Sequence, residues 1–219
     1  MQAIWRDRYI LLPIVLFYLA SCGSERLFQT MEFTFGLCEP LKLSSKEAVL
    51  TDDMYNGGFF IGRLASIFVV SLVSPKTMIR VSLILCTLST LLLSIEAEKS
   101  STLLFVSASI YGFAISWQYA SAYSWTAENI DVVGYKASIF TIGCANSFVA
   151  PMAGAYIFKR ISPMSMWHFN SVLVLIQILA FYLMDRQFKK CQVDERGKDY
   201  GYKELSQRDD GNLITSDRE

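Results

Sequence analysis

The stretch that decides the fold covers residues 9–37 and reads YILLPIVLFYLASCGSERLFQTMEFTFGL. It is mostly apolar, and it exceeds the roughly 20 helical residues that cross the hydrocarbon core of a bilayer. Five more stretches have a similar character. The sequence therefore predicts an all-α polytopic membrane protein with six transmembrane helices, at Tyr9–Leu37, Met54–Ser74, Thr77–Ile95, Thr102–Ala127, Lys136–Phe158 and Met164–Met184.

Charge is distributed unevenly along the chain. Of the 219 residues, 53% are apolar and 18% are charged, whereas a soluble domain has about 25% charged residues throughout its length. The charged residues concentrate after position 184. We therefore predict two parts, a six-helix transmembrane bundle at 1–186 and a disordered cytosolic tail at 187–219. The tail is either a solvated end or a regulatory or sorting segment.

The composition also excludes several classes of function. A net charge of zero argues against a nucleic-acid partner, because clustered Lys and Arg are needed to meet the phosphates. The five cysteines are far apart, and the single histidine, His168, has no nucleophile or second ligand beside it in the sequence. Neither a metal site nor an enzyme is predicted.

Basic residues in the connecting segments predict the orientation. They are about twice as frequent on the side of the N-terminus as on the opposite side, and cytosolic loops carry the excess of Lys and Arg. Both termini are therefore expected in the cytosol, with the chain as a multi-pass protein of the plasma membrane.

Charged residues inside the predicted spans indicate a functional site. An ionised group in hydrocarbon costs about 2.5 to 3.5 kcal/mol, so Glu25, Arg26 and Arg63 need a reason to be there. Glu25 and Arg63 have a similar depth in consecutive helices. They form either a buried charge pair or, with Arg63 bonded to backbone carbonyls, a structural contact.

The fourth span carries two stripes at helical spacing. One mixes aromatic, aliphatic and amide side chains and consists of Tyr111, Ile115, Gln118, Ala122 and Trp125. The other is small and consists of Ala108, Gly112, Ser116 and Ala120. Small residues let a neighbouring helix approach closely. The aromatic and amide stripe either packs in the interior or lies beside a cavity, where rings and amides suit a neutral polyol.

In the fifth span, Pro151 removes a backbone donor and is expected to bend the helix. Asn146 lies about one turn before that bend. Its amide either bonds a neighbouring helix or lines a cavity.

Several short motifs resemble the C-terminal half of major facilitator superfamily transporters, in particular the sodium-dependent glucose transporter and fucose permease-like branch. They are Gly23-Ser24-Glu25-Arg26-Leu27-Phe28, Ser45-Lys46-Glu47-Ala48, Gly58-Phe59-Phe60-Ile61-Gly62-Arg63-Leu64-Ala65-Ser66-Ile67 and Tyr123-Ser124-Trp125-Thr126-Ala127-Glu128. The resemblance implies a six-helix bundle equal to one half of a twelve-helix alternating-access carrier for hexose-like sugars. It also implies a coupling ion, Na+ or H+, with no other cofactor, and a cytosolic charge cluster of Glu128 with Lys76 or Arg80.

We therefore expect membrane transport of a small neutral solute by a half-carrier or truncated carrier. The expected partners are the lipid bilayer, a sugar and a second six-helix half or a second copy of the chain, since one half has no opposing wall. The alternative is a non-transporting regulatory or interaction membrane protein, or a gene fragment. The candidate substrate-binding residues are Glu25, Arg63, Tyr111, Gln118, Trp125 and Asn146.

Overall fold

The structure is a computed structural model in which the backbone is described for residues 2–38, 41–96, 100–130, 132 and 134–216. Side chains are described from residue 11 to residue 190, apart from those at 39–40, 96–99, 131, 133, 135–136, 139 and 146. These residues form helices and no strand, which confirms the all-α prediction. The helices are α1 (Gln2–Leu37), α2 (Ser45–Val69), α3 (Pro75–Glu96), α4 (Ser101–Ile115), α5 (Gln118–Asn129), α6 (Tyr135–Ala145), α7 (Val149–Arg160) and α8 (Ser165–Ser216).

Five segments of the described chain are long and apolar enough to cross a membrane, namely Leu11–Leu37, Pro75–Ile95, Ser101–Asn129, Phe140–Arg160 and Ser165–Lys190. They correspond to the first, third, fourth, fifth and sixth predicted spans. The second predicted span coincides with much of α2, which is less apolar because it carries Asp52, Asp53 and Arg63. A polytopic membrane protein is confirmed, and the crossing by α2 stays a prediction.

Two of the spans are interrupted helices. The fourth is divided at Ser116 and Trp117 into α4 and α5, and the fifth is divided by a short 3-10 helix, Asn146–Phe148, into α6 and α7. Pro151 has no N–H to donate to the carbonyl one turn earlier, which explains why the regular ladder breaks just before it. The helix of the fifth span is therefore interrupted just before Pro151, where the sequence predicts a bend.

Close backbone contact joins α2 to α4. A Cβ atom added at Gly58 would collide with the Ser109 carbonyl oxygen, and one added at Gly112 would collide with the Tyr55 carbonyl oxygen. Only glycine permits these two backbones to approach so closely. Ser116 of the small stripe lies opposite Gly62 in the same way. The small stripe therefore allows the close approach of a neighbouring helix that the sequence predicted.

Helix α1 packs against α2, α6, α7 and α8, while α3 packs against α4, α5 and α8. The buried apolar side chains form two clusters, one around Phe28, Tyr55 and Trp167, the other around Phe17, Ile79 and Trp125. The two clusters lie at opposite ends of the bundle, and buried hydrogen-bonding side chains lie between them.

The last helix extends beyond the predicted boundary. The backbone of α8 continues to Ser216, and the disordered tail at 187–219 stays a prediction. An ion pair between Asp185 and Lys189, 3.1 Å apart and one turn apart, lies across that boundary. Opposite charges at this spacing support a helix.

Candidate functional site

Tyr111, Gln118 and Trp125 share one side of the fourth span, as predicted, but that side faces the interior of the bundle. The Tyr111 ring stacks on Phe28 with centroids 4.3 Å apart. Its hydroxyl lies 2.5 Å from Ser24 Oγ, which in turn donates to Asn170 Oδ1 at 2.6 Å. Tyr111 therefore donates to Ser24, and this chain of bonds links α4, α1 and α8.

Gln118 is fully buried, and both the nitrogen and the oxygen of its side-chain amide are hydrogen-bonded within the protein. Its Nε2 donates to Gln177 Oε1 at 2.8 Å, and its Oε1 accepts from Ser21 Oγ at 3.2 Å. Gln177 in turn donates to the Ala20 carbonyl at 3.2 Å. This network joins α5 to α8 and α1. Hydrogen bonds of this kind hold helices together in lipid, where apolar burial does not.

Trp125 lies at the end of the bundle that we predict to be cytosolic. Its ring packs against Phe181 and Phe188 at centroid distances of 5.1 and 4.9 Å. The Lys76 ammonium lies 5.7 Å from the ring centroid and forms an ion pair with Asp185. The charge cluster implied by the resemblance is therefore present with a different acid, because α8 reaches Lys76 and supplies Asp185 instead of Glu128.

Glu25 and Arg63 do not form the buried ion pair that their depths suggest. Among the described residues, the ion pairs are those of Asp185 with Lys76 and Lys189. Arg63 is exposed, and its guanidinium lies 4.9 Å from the centre of the Phe59 ring. Arg63 and Arg26 still act electrostatically on Glu25. The rotation of α2 about its axis, which spacing does not reveal, keeps the two side chains apart.

The Asn146 side chain lies outside the described residues. Its backbone begins the 3-10 helix between α6 and α7.

A polar face is formed by Cys22, Glu25 and Arg26 of α1, Arg63 of α2, Tyr119 of α5 and Cys144 of α6. The thiols of Cys22 and Cys144 are 3.0 Å apart, which places α1 against α6. Tyr119 interacts with Cys144, and Glu25 and Arg26 act electrostatically on both thiols. Arg26, Arg63 and Tyr119 are exposed. Four helices thus bring charged and hydroxyl groups to one side of the bundle.

A groove of about 360 Å³ lies beside the polar face, between α2, α3 and α5. It begins one turn beyond Arg63 on α2 and next to Tyr119 on α5. Its lining includes Ser66, Ser121 and Ser124 together with Trp117, and no charged side chain. The indole N–H of Trp117 is buried and has no hydrogen-bond partner in the described part of the chain. A buried donor without an acceptor is costly.

The chain is similar to several curated proteins, of which three are described here. The chain is 26% identical to sodium-dependent glucose transporter 1 of Xenopus laevis over 136 residues, which cover 62% of this chain and 28% of the relative. It is 31% identical to the Danio rerio protein of the same name over 123 residues, with 56% of this chain and 20% of the relative covered. It is 26% identical to major facilitator superfamily domain-containing protein 4A of Xenopus tropicalis over 151 residues, with 65% and 28% covered.

The predicted resemblance to the major facilitator superfamily is confirmed. No family model matches the chain, and no solved structure matches it significantly. The matched segment spans less than a third of each of these three relatives. Two of these relatives are named as transporters and the third as a major facilitator superfamily domain-containing protein, which supports transport at the level of the family.

Some of the groups in the polar face and the groove could be found from the sequence, and others could not. Glu25, Arg26 and Arg63 were found because charges are rare in membrane spans. Tyr119 and Trp117 were missed. Tyr119 and Tyr123 are four residues apart and are both exposed beside the buried stripe, and that spacing was the available signal.

Proposed function

We propose that this chain forms one wall of a membrane transport pathway for a small neutral solute of the hexose class. The observation that carries the proposal is the uncharged groove, with the unpartnered Trp117 N–H and three serines, beside the polar face. Hydroxyl-rich solutes need several donors and acceptors, and the aromatic ring provides a surface for their CH groups.

Several features support a neutral solute. The groove itself contains no charged side chain, so an ionic solute would have no counter-charge inside it. Arg63 lies one turn before Ser66 of its lining, and guanidinium N–H groups can donate to hydroxyl oxygens. Two of the similar proteins carry the name sodium-dependent glucose transporter, which agrees with this chemistry.

A second wall is part of the proposal. Charged side chains at membrane depth face protein or water, not lipid. Arg26 and Arg63 are exposed in the isolated bundle, so another surface has to cover their side of it. We propose a second six-helix half or a second copy of this chain, arranged so that the solute lies between the two. We place both termini in the cytosol and the protein in the plasma membrane.

Replacing Trp117 by phenylalanine should weaken hexose binding about five- to tenfold, because the ring stays while one hydrogen-bond donor is lost, worth about 1 kcal/mol. The measurement is the D-glucose concentration that halves the alkylation rate of Cys22 in membranes containing the full chain, quantified by mass spectrometry. Cys22 lies on the polar face and serves as the reporter.

Trp167→Phe is the matched control. Trp167 is also buried with an unpartnered indole N–H, but it packs between Phe28 and Phe35 in the other cluster. Its replacement should leave the protection of Cys22 by glucose unchanged. Equal effects of the two substitutions, or no protection of Cys22 in the unmodified protein, would contradict the proposed solute site.

A further inference from the structure

Two cysteines that are 122 residues apart in the sequence meet in the fold. The Sγ atoms of Cys22 on α1 and Cys144 on α6 are 3.0 Å apart, and both side chains are free thiols. A disulfide has an S–S distance of about 2 Å, so the two sulfurs need to approach by only about 1 Å. Side-chain motion is of this size. The distance therefore permits a disulfide without rearrangement of the helices.

Close packing on both sides of the pair holds α1 against the fifth span. A Cβ atom added at Gly143 would lie 3.0 Å from Tyr18 Cβ, and one added at Gly23 would lie 3.0 Å from Ala150 Cβ. The Tyr18 ring also packs edge-on against Phe140, with centroids 4.9 Å apart. The thiols lie between these contacts. Their proximity therefore follows from the packing of two backbones and does not depend on one side-chain rotamer.

Both thiols can be reached by a small reagent. Cys22 and Cys144 are partly exposed and belong to the polar face. The exposed Arg26 and Arg63 on that face require water or protein beside them, not lipid. Cys22 lies near the middle of the Leu11–Leu37 span, where apolar surroundings disfavour charged molecules. A small, uncharged oxidant such as hydrogen peroxide meets both conditions.

We propose that Cys22 and Cys144 form a reversible disulfide with a hydroperoxide as the oxidant, and that this bond fixes α6 to α1. The thiolate of one cysteine attacks an oxygen of hydrogen peroxide and breaks the O–O bond, which gives a sulfenic acid and a hydroxide that takes up the thiol proton. The other sulfur then attacks the sulfenic sulfur, and a second hydroxide leaves with the second thiol proton as water. Two thiols and one hydrogen peroxide thus give one disulfide and two waters, and the sulfurs lose two electrons to the peroxide. A dithiol reductant reverses the bond by exchange.

The bond acts on the interrupted helix of the fifth span. Cys144 lies two residues before the 3-10 helix Asn146–Phe148, which separates α6 from α7. Once the disulfide has formed, α6 cannot move away from α1, and this part of the polar face keeps its present arrangement. An effect of the bond on solute movement rests on the transport function proposed above, whereas formation of the bond does not.

The test is mass spectrometry of the full chain in lipid nanodiscs, reduced, freed of reductant and then treated with hydrogen peroxide. The remaining thiols are alkylated before digestion. We expect a cross-linked peptide pair that joins Cys22 to Cys144, loss of alkylation at both residues, and recovery of both thiols after treatment with dithiothreitol. Cys22→Ser and Cys144→Ser should each prevent this cross-link and leave the remaining cysteine as a sulfenic acid that dimedone traps.

Cys38→Ser is the matched control. Cys38 is also a partly exposed thiol, but it lies sixteen residues beyond Cys22, which is about 24 Å at the rise of a helix. Its replacement should leave the cross-link unchanged.

Thermal unfolding gives a second measurement. Oxidation should raise the unfolding temperature of the unmodified chain by several degrees, because the bond closes a long loop in the unfolded state. It should not raise the unfolding temperature of Cys22→Ser.

The proposal is refuted if Cys22 and Cys144 remain open to alkylation after oxidation, if they cross-link to other cysteines or between copies of the chain, or if the oxidised chain unfolds at or below the temperature of the reduced chain. The reaction needs no solute. A cross-link that forms as expected, without glucose protection of Cys22 in the reduced protein, would therefore retain the disulfide and reject the hexose.

Discussion

Replacing Gly58 by alanine should lower the free energy of unfolding by about 2 to 3 kcal/mol and reduce the yield of folded protein. The added methyl group would collide with the Ser109 carbonyl of α4. Overpacking costs about 1 to 3 kcal/mol, and the upper end applies here because the obstacle is backbone rather than a flexible side chain. Thermal unfolding in detergent, followed by size-exclusion chromatography, measures the effect.

Gly57→Ala provides the control on the adjacent residue. A Cβ atom at Gly57 meets nothing within 4 Å. The same substitution should therefore be neutral, or stabilise the helix by up to about 1 kcal/mol through helix propensity. If Gly58→Ala and Gly57→Ala unfolded at the same temperature, the close contact between α2 and α4 would be wrong.

Replacing Gln118 by leucine should cost about 1 to 3 kcal/mol, because Gln177 and Ser21 are then left buried without their partner. Replacing both Gln118 and Gln177 by leucine should recover at least half of that loss. The double variant removes the two amides together, and Ser21 can bond a carbonyl of its own helix. A double-mutant cycle on the unfolding free energy measures the coupling.

This cycle also separates two roles for Gln118. A structural role predicts a coupling energy between Gln118 and Gln177 of about 1 kcal/mol or more. A role as a solute ligand predicts additive effects on stability, with the loss confined to hexose binding. Additivity would contradict the buried network described here.

The transmembrane spans could be predicted from the sequence because length and apolarity are sufficient evidence for them. The contact between α2 and α4 was also accessible, since Gly112 and Ser116 stand at helical spacing in the fourth span. The ion pair of Asp185 with Lys76 was not, because composition does not show that α8 reaches the start of α3.

The direction in which each stripe faces could not be predicted. The stripe of Tyr111, Gln118 and Trp125 and the neighbouring pair of Tyr119 and Tyr123 both mix aromatic and polar groups. Hydropathy therefore does not show which of these two sets of side chains faces water. The outcome depends on which helices pack against α5. Helices α1 and α8 bond Gln118, so the stripe of Tyr111, Gln118 and Trp125 faces the interior.

Glu32 is fully buried, with neither carboxylate oxygen hydrogen-bonded in the described part of the chain, and it was missed for a related reason. Glu32 stands near the end of the first predicted span, where a charge can reach the membrane surface, so it gave no signal of burial. Its burial becomes evident only when α2 and α8 are packed against α1.

Uptake of radiolabelled D-glucose into proteoliposomes tests the central claim most directly. The purified chain, verified as a monomer, should show no saturable uptake above empty liposomes, since one wall cannot alternate access to the solute. Uptake should appear when a second copy or a complementary six-helix chain supplies the opposing wall. Robust saturable uptake by the monomer would contradict the two-wall account, and absence of uptake with either partner would contradict the transport function itself.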